Sequence, residues 1–90
     1  MIDKRQFYIN GQWVNSLDGR DYKVINPSNE EPVAVISLGG QNDADAAVAA
    51  AKAAFPAWMA TSLDDRLALV VKLVEIYKTR MEDLAQAMSL

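Results

Sequence analysis

The residues with chemical potential in this chain are few, and most of them are carboxylates. Asp43-Ala44-Asp45 has the look of the start of a cation loop, but the Asp/Asn-rich continuation and distal Glu of a calcium-binding loop are missing. Asp64-Asp65 is a carboxylate pair, yet adjacent residues at a helix start point in different directions, and capping explains them better. Glu30-Glu31 reads as a solvated loop pair. Gly39-Gly40 is a loose echo of a phosphate loop. Neither G-x-G-x-x-G nor G-x-x-x-x-G-K-[ST] occurs, so a strand-to-helix hinge is the better account. Trp13 and Trp58 suit packing anchors more than a ligand pocket. Cysteine and histidine are both absent, which removes thiolate nucleophiles, disulfides, and the commonest general base and metal ligand. The chain alone is a poor candidate for an enzyme.

The elements that would position these residues fall into two halves. Within residues 1–40, Phe7-Tyr8-Ile9 and Gln12-Trp13-Val14 flank Asn10-Gly11, the pairing that a type I′ hairpin turn demands. Ser16-Leu17-Asp18-Gly19 predicts a second turn, with Gly19 in a left-handed conformation. Residues 21–25 predict a strand that Asn26-Pro27 stops, and residues 32–38 a last one. Four short strands suggest a small, mainly antiparallel sheet.

Residues 41–90 predict two helices. The first, over 43–55, is alanine-rich, capped by Asn42 with Asp45 at N3, and ended by Pro56. Its narrow face of Ala44, Ala47, Val48, Ala51 and Phe55 would let a partner approach closely. The second, over 62–90, starts in a Ser62/Asp65 capping box. Leu63, Leu67, Val70, Val71, Val74, Tyr77, Met81, Leu84, Ala85 and Met88 form one apolar row, and Leu69, Leu73 and Ile76 another. This face exceeds the ~100° stripe that one packing surface needs. Lys72/Glu75 and Lys78/Glu82 are solvent-side pairs. No Gly, Asn or Pro closes the second helix, and with the wide apolar face this predicts the N-terminal piece of something longer.

The ninety residues are 51% hydrophobic and 23% charged, the balance of a folded domain of α+β class. A net charge of -3 offers nothing to a phosphate backbone, so nucleic-acid binding is not expected. No apolar run is long enough for a membrane span, and no secretory signal is visible. The cytoplasm is the expected compartment.

The whole chain resembles the N-terminal segment of the aldehyde dehydrogenase superfamily. The likeness rests on residues 8–14 (Tyr-Ile-Asn-Gly-Gln-Trp-Val), 24–27 (Val-Ile-Asn-Pro), 31–36 (Glu-Pro-Val-Ala-Val-Ile) and 45–55, with Trp58 and Asp65-Arg66 in order behind them. Where the family has Gly before Glu31, this chain has Glu30, so the turn there is the point at which its geometry would depart. The resemblance implies an α/β parent that oxidises aldehydes to carboxylic acids with NAD or NADP. In that parent a cysteine forms a thiohemiacetal, assisted by a glutamate base and an oxyanion-hole asparagine. It implies no catalytic or cofactor-binding residue among these ninety, and no cofactor bound by this chain alone. It implies scaffold, with the rest of the subunit and a homo-oligomer as partners. It also implies a monovalent cation held by backbone carbonyls, among them that of Ile25. The alternative reading is a self-standing, non-enzymatic α+β interaction module.

Overall fold

The computed structural model describes all residues, Met1–Leu90, as five strands followed by three helices. The chain divides into two compact units, Met1–Phe55 and Pro56–Leu90.

In the first unit, β2 (Phe7–Ile9) and β3 (Gln12–Val14) form the hairpin expected around Asn10-Gly11. Asn10 and Gly11 have φ of 54° and 74°, both in the left-handed region that the two-residue turn requires. Tyr8 and Trp13 face each other across it with ring centroids 5.1 Å apart. A separate sheet holds β1 (Ile2–Lys4), β5 (Glu31–Leu38) and β4 (Arg20–Asn26), in the order β1-β5-β4. β4 and β5 pair antiparallel, whereas β1 runs parallel to β5 with Ile2 opposite Ala34. The first strand and its parallel pairing are corrections to the four-strand reading. Ile2-Asp3-Lys4 is too short and polar to signal a strand, and its partner lies some thirty residues away.

The turn between β4 and β5 keeps the left-handed backbone in spite of Glu30, whose φ is 59°. Its amide donates to the Asn26 carbonyl at 2.7 Å, closing the loop, while Asn26 and Asn29 side chains accept from the Ser28 and Glu31 amides. The hydrogen bonds thus outweigh the steric cost of a side chain there.

The helix α1 (Gln41–Met59) is longer than the expected 43–55 at both ends and carries Pro56 inside it. It runs on because Pro56 surrenders only its own amide bond, and the turn beyond is tied down in the second unit. There, Arg66 donates to the Met59 and Thr61 carbonyls and to the Thr61 hydroxyl, at 2.9–3.0 Å. The face of α1 turned to the rest of its unit is Asp43, Ala46, Ala47 and Ala50, which shares Ala47 with the expected Ala44-Ala47-Val48-Ala51-Phe55 face and is otherwise displaced from it. Val48 is 65% exposed.

The helix expected over 62–90 is two helices, α2 (Leu63–Thr79) and α3 (Met81–Ser89). Ser62 caps α2 as read, accepting from the Asp65 amide at 3.1 Å, although the Asp65 side chain does not answer back. The break falls at Arg80 (φ -116°, ψ 10°), whose amide bonds Tyr77 rather than the carbonyl four residues back. Thr79 turns its hydroxyl onto the Ile76 carbonyl at 2.7 Å, a back-bond that bends helices. Lys78 and Glu82 fall on either side of this break. Neither that pair nor Lys72/Glu75 closes, and the ion pair formed here is Arg80–Asp83.

No apolar side chain is buried in either unit. Phe7, Ile9, Val14, Val24 and the run Val33–Ile36 are half-buried around the sheets, and both tryptophans stand open to solvent.

Candidate functional site

Polar contacts converge at one place in the first unit, where the Ser16–Gly19 turn meets the start of α1. The cap of α1 is Gly40, not Asn42, and the acid at N3 is Asp43 rather than Asp45. Asp43 is 6% exposed, and it alone is buried. One oxygen accepts from the Ser16 hydroxyl at 2.6 Å and the Gly40 amide at 3.1 Å, and the other from the Leu17 amide at 2.7 Å. The bond back to Gly40 is the N3 half of a capping box. Gly40 has no side chain for the other half. Asp18 supplies it from across the turn, accepting from the Asn42 amide at 3.0 Å.

The two glycines have their causes here. A Cβ on Gly40 would stand 2.5 Å from the Asp18 carboxyl carbon. A Cβ on Gly19 would run into the Leu38 carbonyl and the Ser16 hydroxyl, so Gly19 is required by close approach and not by a left-handed backbone. Its amide donates to the Ser16 hydroxyl at 2.8 Å.

The Leu17 amide, then the Ser16 hydroxyl, hold the Asp43 carboxyl below its ordinary value of 3.8, against the opposing effect of burial. An anion with three donors is a fastener, with no proton to exchange near neutrality. The clasp also decides the Gly39-Gly40 question. The amides at this helix start already face the protein's own carboxylates, and Asp18 fills the space beside Gly40. The residues present therefore do not fit a dinucleotide pyrophosphate.

A second polar group lies at the edge of the β1-β5-β4 sheet. Arg5 forks onto Asp3 at 2.8 and 3.0 Å and reaches Asp21 at 3.2 Å, so that one guanidinium links the first strand to β4. Those bonds, Asp3 foremost, raise the Arg5 pKa and keep it charged. An open groove of about 960 Å³ passes beside Arg5, Trp13 and Asn15.

Ile25, the carbonyl site named from the resemblance, lies on β4 opposite Pro32, beside a bulge that leaves Val33 as the additional residue of β5. Pro32 has no amide hydrogen to offer the opposite strand. Asp64 and Asp65 lie in the first turn of α2, whereas Glu30 is in the β4–β5 turn and Glu31 opens β5, so the two pairs are far apart in sequence and in different units. No three His, Cys, Asp or Glu side chains gather as a metal site, and no helix is long and apolar enough to cross a membrane.

A family profile described as "Aldehyde dehydrogenase family" matches residues 13–90. The chain belongs to the aldehyde dehydrogenase family. It is similar to a 3-succinoylsemialdehyde-pyridine dehydrogenase of a Pseudomonas species, 42% identical over 89 residues, covering 99% of this chain and 19% of the relative. A putative aldehyde dehydrogenase of Staphylococcus aureus is 39% identical over the same length, again with 19% of the relative covered. Among solved structures, an aldehyde dehydrogenase from Bartonella henselae is 50% identical and superposes with a TM-score of 0.96 over 100% of this chain and 19% of its own. The chain corresponds to the N-terminal part of aldehyde dehydrogenases and spans about a fifth of the length of these relatives. The reading as a self-standing interaction module gains no support from these matches.

Sequence reasoning assigned Asp43 to a helix start but missed Ser16, Leu17 and Asp18 as its company. The available signal was an acid three residues after Gly40, the spacing of a capping box whose cap lacks a side chain.

Proposed function

We propose that this chain is the N-terminal scaffold of a dehydrogenase that oxidises an aldehyde to a carboxylic acid, with NAD or NADP as hydride acceptor and a cysteine nucleophile outside these ninety residues. The observation that carries the reading is the superposition of the whole chain on one fifth of the Bartonella henselae enzyme at 50% identity. Family membership supplies the reaction class, and the lack of cysteine and histidine keeps the chemistry out of this segment. The chain's part is to frame: the Asp43 clasp holds the start of α1 against the sheet connections, and the helices offer apolar surface to the rest of the subunit. The parent is a cytoplasmic homo-oligomer.

The Ile25 carbonyl is assigned to a monovalent cation. Its support is local, since Pro32 opposite leaves that edge of the ladder without a donor and a carbonyl is a hard oxygen ligand of the kind such ions take. An ordered ion against Ile25 in a full-length crystal grown in potassium or sodium would agree. A clear map without one would remove the assignment.

The direct test is spectroscopic. The purified 90-residue chain, mixed with an aldehyde and NAD or NADP, should reduce neither cofactor. The same ninety residues in place of the matching fifth of the Bartonella henselae enzyme should leave aldehyde oxidation intact. Reduction by the chain alone, or a soluble chimera without activity, would overturn the reading.

A further inference from the structure

At the tip of the β2–β3 hairpin, Asn10 and Gly11 are both exposed, and no heavy atom lies within 4 Å of where a Gly11 Cβ would stand. The ladder closes through the Ile9–Gln12 pair, which leaves the Gly11 amide and the Asn10 carboxamide without partners in the protein. These are the parts of an intramolecular acyl transfer. The amide nitrogen of a residue can close a five-membered ring on the side-chain carbon of a preceding Asn or Asp. Glycine as the second residue neither shields that nitrogen nor resists the backbone rotation that brings it in.

The other asparagines lack this combination. Asn15 accepts from the Gln6 side chain at 3.2 Å and precedes a serine. Asn26 precedes Pro27, whose nitrogen carries no hydrogen to lose. Asn29 accepts from the Glu31 amide at 3.0 Å, and the Glu30 amide that would have to attack it donates to the Asn26 carbonyl at 2.7 Å. Asn42 stands in the first turn of α1, followed by the buried Asp43. Asp18-Gly19 is the sharpest comparison, because an aspartyl-glycine pair closes the same ring. There the Asp18 carboxylate accepts from the Asn42 amide at 3.0 Å, and the Gly19 amide donates to the Ser16 hydroxyl at 2.8 Å. Both reacting groups are held, so one such turn is locked and the other is open.

We propose that Asn10 is a site of spontaneous covalent modification, at which the Gly11 amide displaces the side-chain nitrogen and the hairpin turn is converted to aspartate and isoaspartate. The Gly11 amide gives its proton to hydroxide, and its nitrogen attacks the Asn10 Cγ. A new carbon–nitrogen bond forms, the bond from Cγ to the side-chain nitrogen breaks, and ammonia leaves with a proton taken from water. Water then opens the succinimide at one of its two carbonyls. Opening at Cγ gives aspartate, whereas opening at the backbone carbonyl gives isoaspartate, in which the chain runs through Cβ and Cγ. In sum one water is consumed and one ammonia released, with no oxidant or reductant. Aspartate keeps the turn, since Asp also visits the left-handed region. Isoaspartate adds a backbone carbon to a two-residue loop, and the Ile9–Gln12 and Tyr8–Trp13 register depends on that loop's length. Either product puts a negative charge at the rim of the groove of about 490 Å³ that Asn10 shares with Ala47, Ala50 and Ala51 of α1.

The experiment ages the chimera in which these ninety residues replace the matching fifth of the Bartonella henselae enzyme, natively and in guanidinium, at mildly alkaline pH. Cleavage after Arg5 and Arg20 releases residues 6–20, which hold both Asx-Gly turns, and peptide mass spectrometry locates each new acid. In the native protein, acid should appear at residue 10 about tenfold faster than at Asn15, Asn29 or Asn42, in two chromatographically distinct forms of equal mass. Guanidinium should change the rate at residue 10 by less than about threefold, and it should speed isoaspartate formation at residue 18 by about tenfold, because only the second turn is locked in the fold. Asn10→Gln, which would need a six-membered ring, should abolish the reaction at that position. A native rate at residue 10 no faster than at another asparagine, strong native suppression there, or aspartate as the single product would each overturn the proposal. The isoaspartate form of the chimera, separated by charge, should show faster amide exchange at Ile9 and Gln12, and unchanged exchange would overturn the loss of the hairpin. The readout is mass and exchange, so an inactive chimera would sink the proposed function without touching the result at Asn10.

Discussion

The Asp18 carboxylate occupies the space beside Gly40 that a side chain would need, and from there it accepts the Asn42 amide at 3.0 Å. A helix whose cap residue has no side chain is capped by a residue twenty-two positions upstream. The start of α1 is therefore bound to the Ser16–Gly19 turn at two points, by Asp18 from the turn and by Asp43 from the helix.

Gly40→Ala should displace Asp18 and weaken the first turn of α1 by about 1–2 kcal/mol, the scale of a lost cap. Amide exchange of residues 42–45 reads this locally. In an Asp18→Ala background the same substitution should cost much less, because the obstructing carboxylate is gone. Equal costs in both backgrounds would mean that Asp18 is not the cap.

Asp43 makes the clasp sensitive to acid. Its folded-state pKa lies below the ordinary 3.8, so its contribution is fully present above that value and is lost as pH falls through the folded pKa. A titration from pH 7 downward, followed by exchange at Leu17 and Gly40, should stay flat until about pH 4 and then open. Asp43→Asn should weaken the clasp at pH 7 and flatten the acid limb, and an unchanged acid limb would place its origin in another carboxylate.

Glu30 holds a left-handed backbone at φ 59°. Glu30→Gly should stabilise the β4–β5 hairpin by about 0.5–1 kcal/mol, relief of the Cβ penalty being partly offset by the greater freedom of glycine when unfolded. Slower exchange at Asn26 and Glu31 is the readout. Glu30→Val should move the other way.

Ser62→Ala removes the acceptor for the Asp65 amide and should cost α2 about 1 kcal/mol. Ser62→Asp should restore most of it. The measurement is the protection of the Asp65 and Arg66 amides, and no change in Ser62→Ala would show that the carbonyl bond from Arg66 to Ser62 suffices.

Much of this architecture was legible in the residues because its causes are local. Asn10-Gly11 needs no distant partner to prefer positive φ, and Ser62 needs only the amide three residues on. The apolar rows of α2 marked a helix, since periodicity depends on neighbours within two turns. Family membership was readable from ordered short motifs, a property of the string itself.

What the string did not disclose depends on contacts across long stretches of chain. β1 is a strand because β5 lies beside it. Gly19 is glycine because the Leu38 carbonyl passes close by, and not because of its own φ. α1 runs through Pro56 because Arg66 ties down the Met59 and Thr61 carbonyls beyond it, outweighing a local rule that ends helices at proline. Local preference by itself determined the turns, the α2 start and the family. Tertiary contacts decided the Asp43 clasp, the parallel strand and the true length of α1, because each depends on groups that the folded backbone alone brings together.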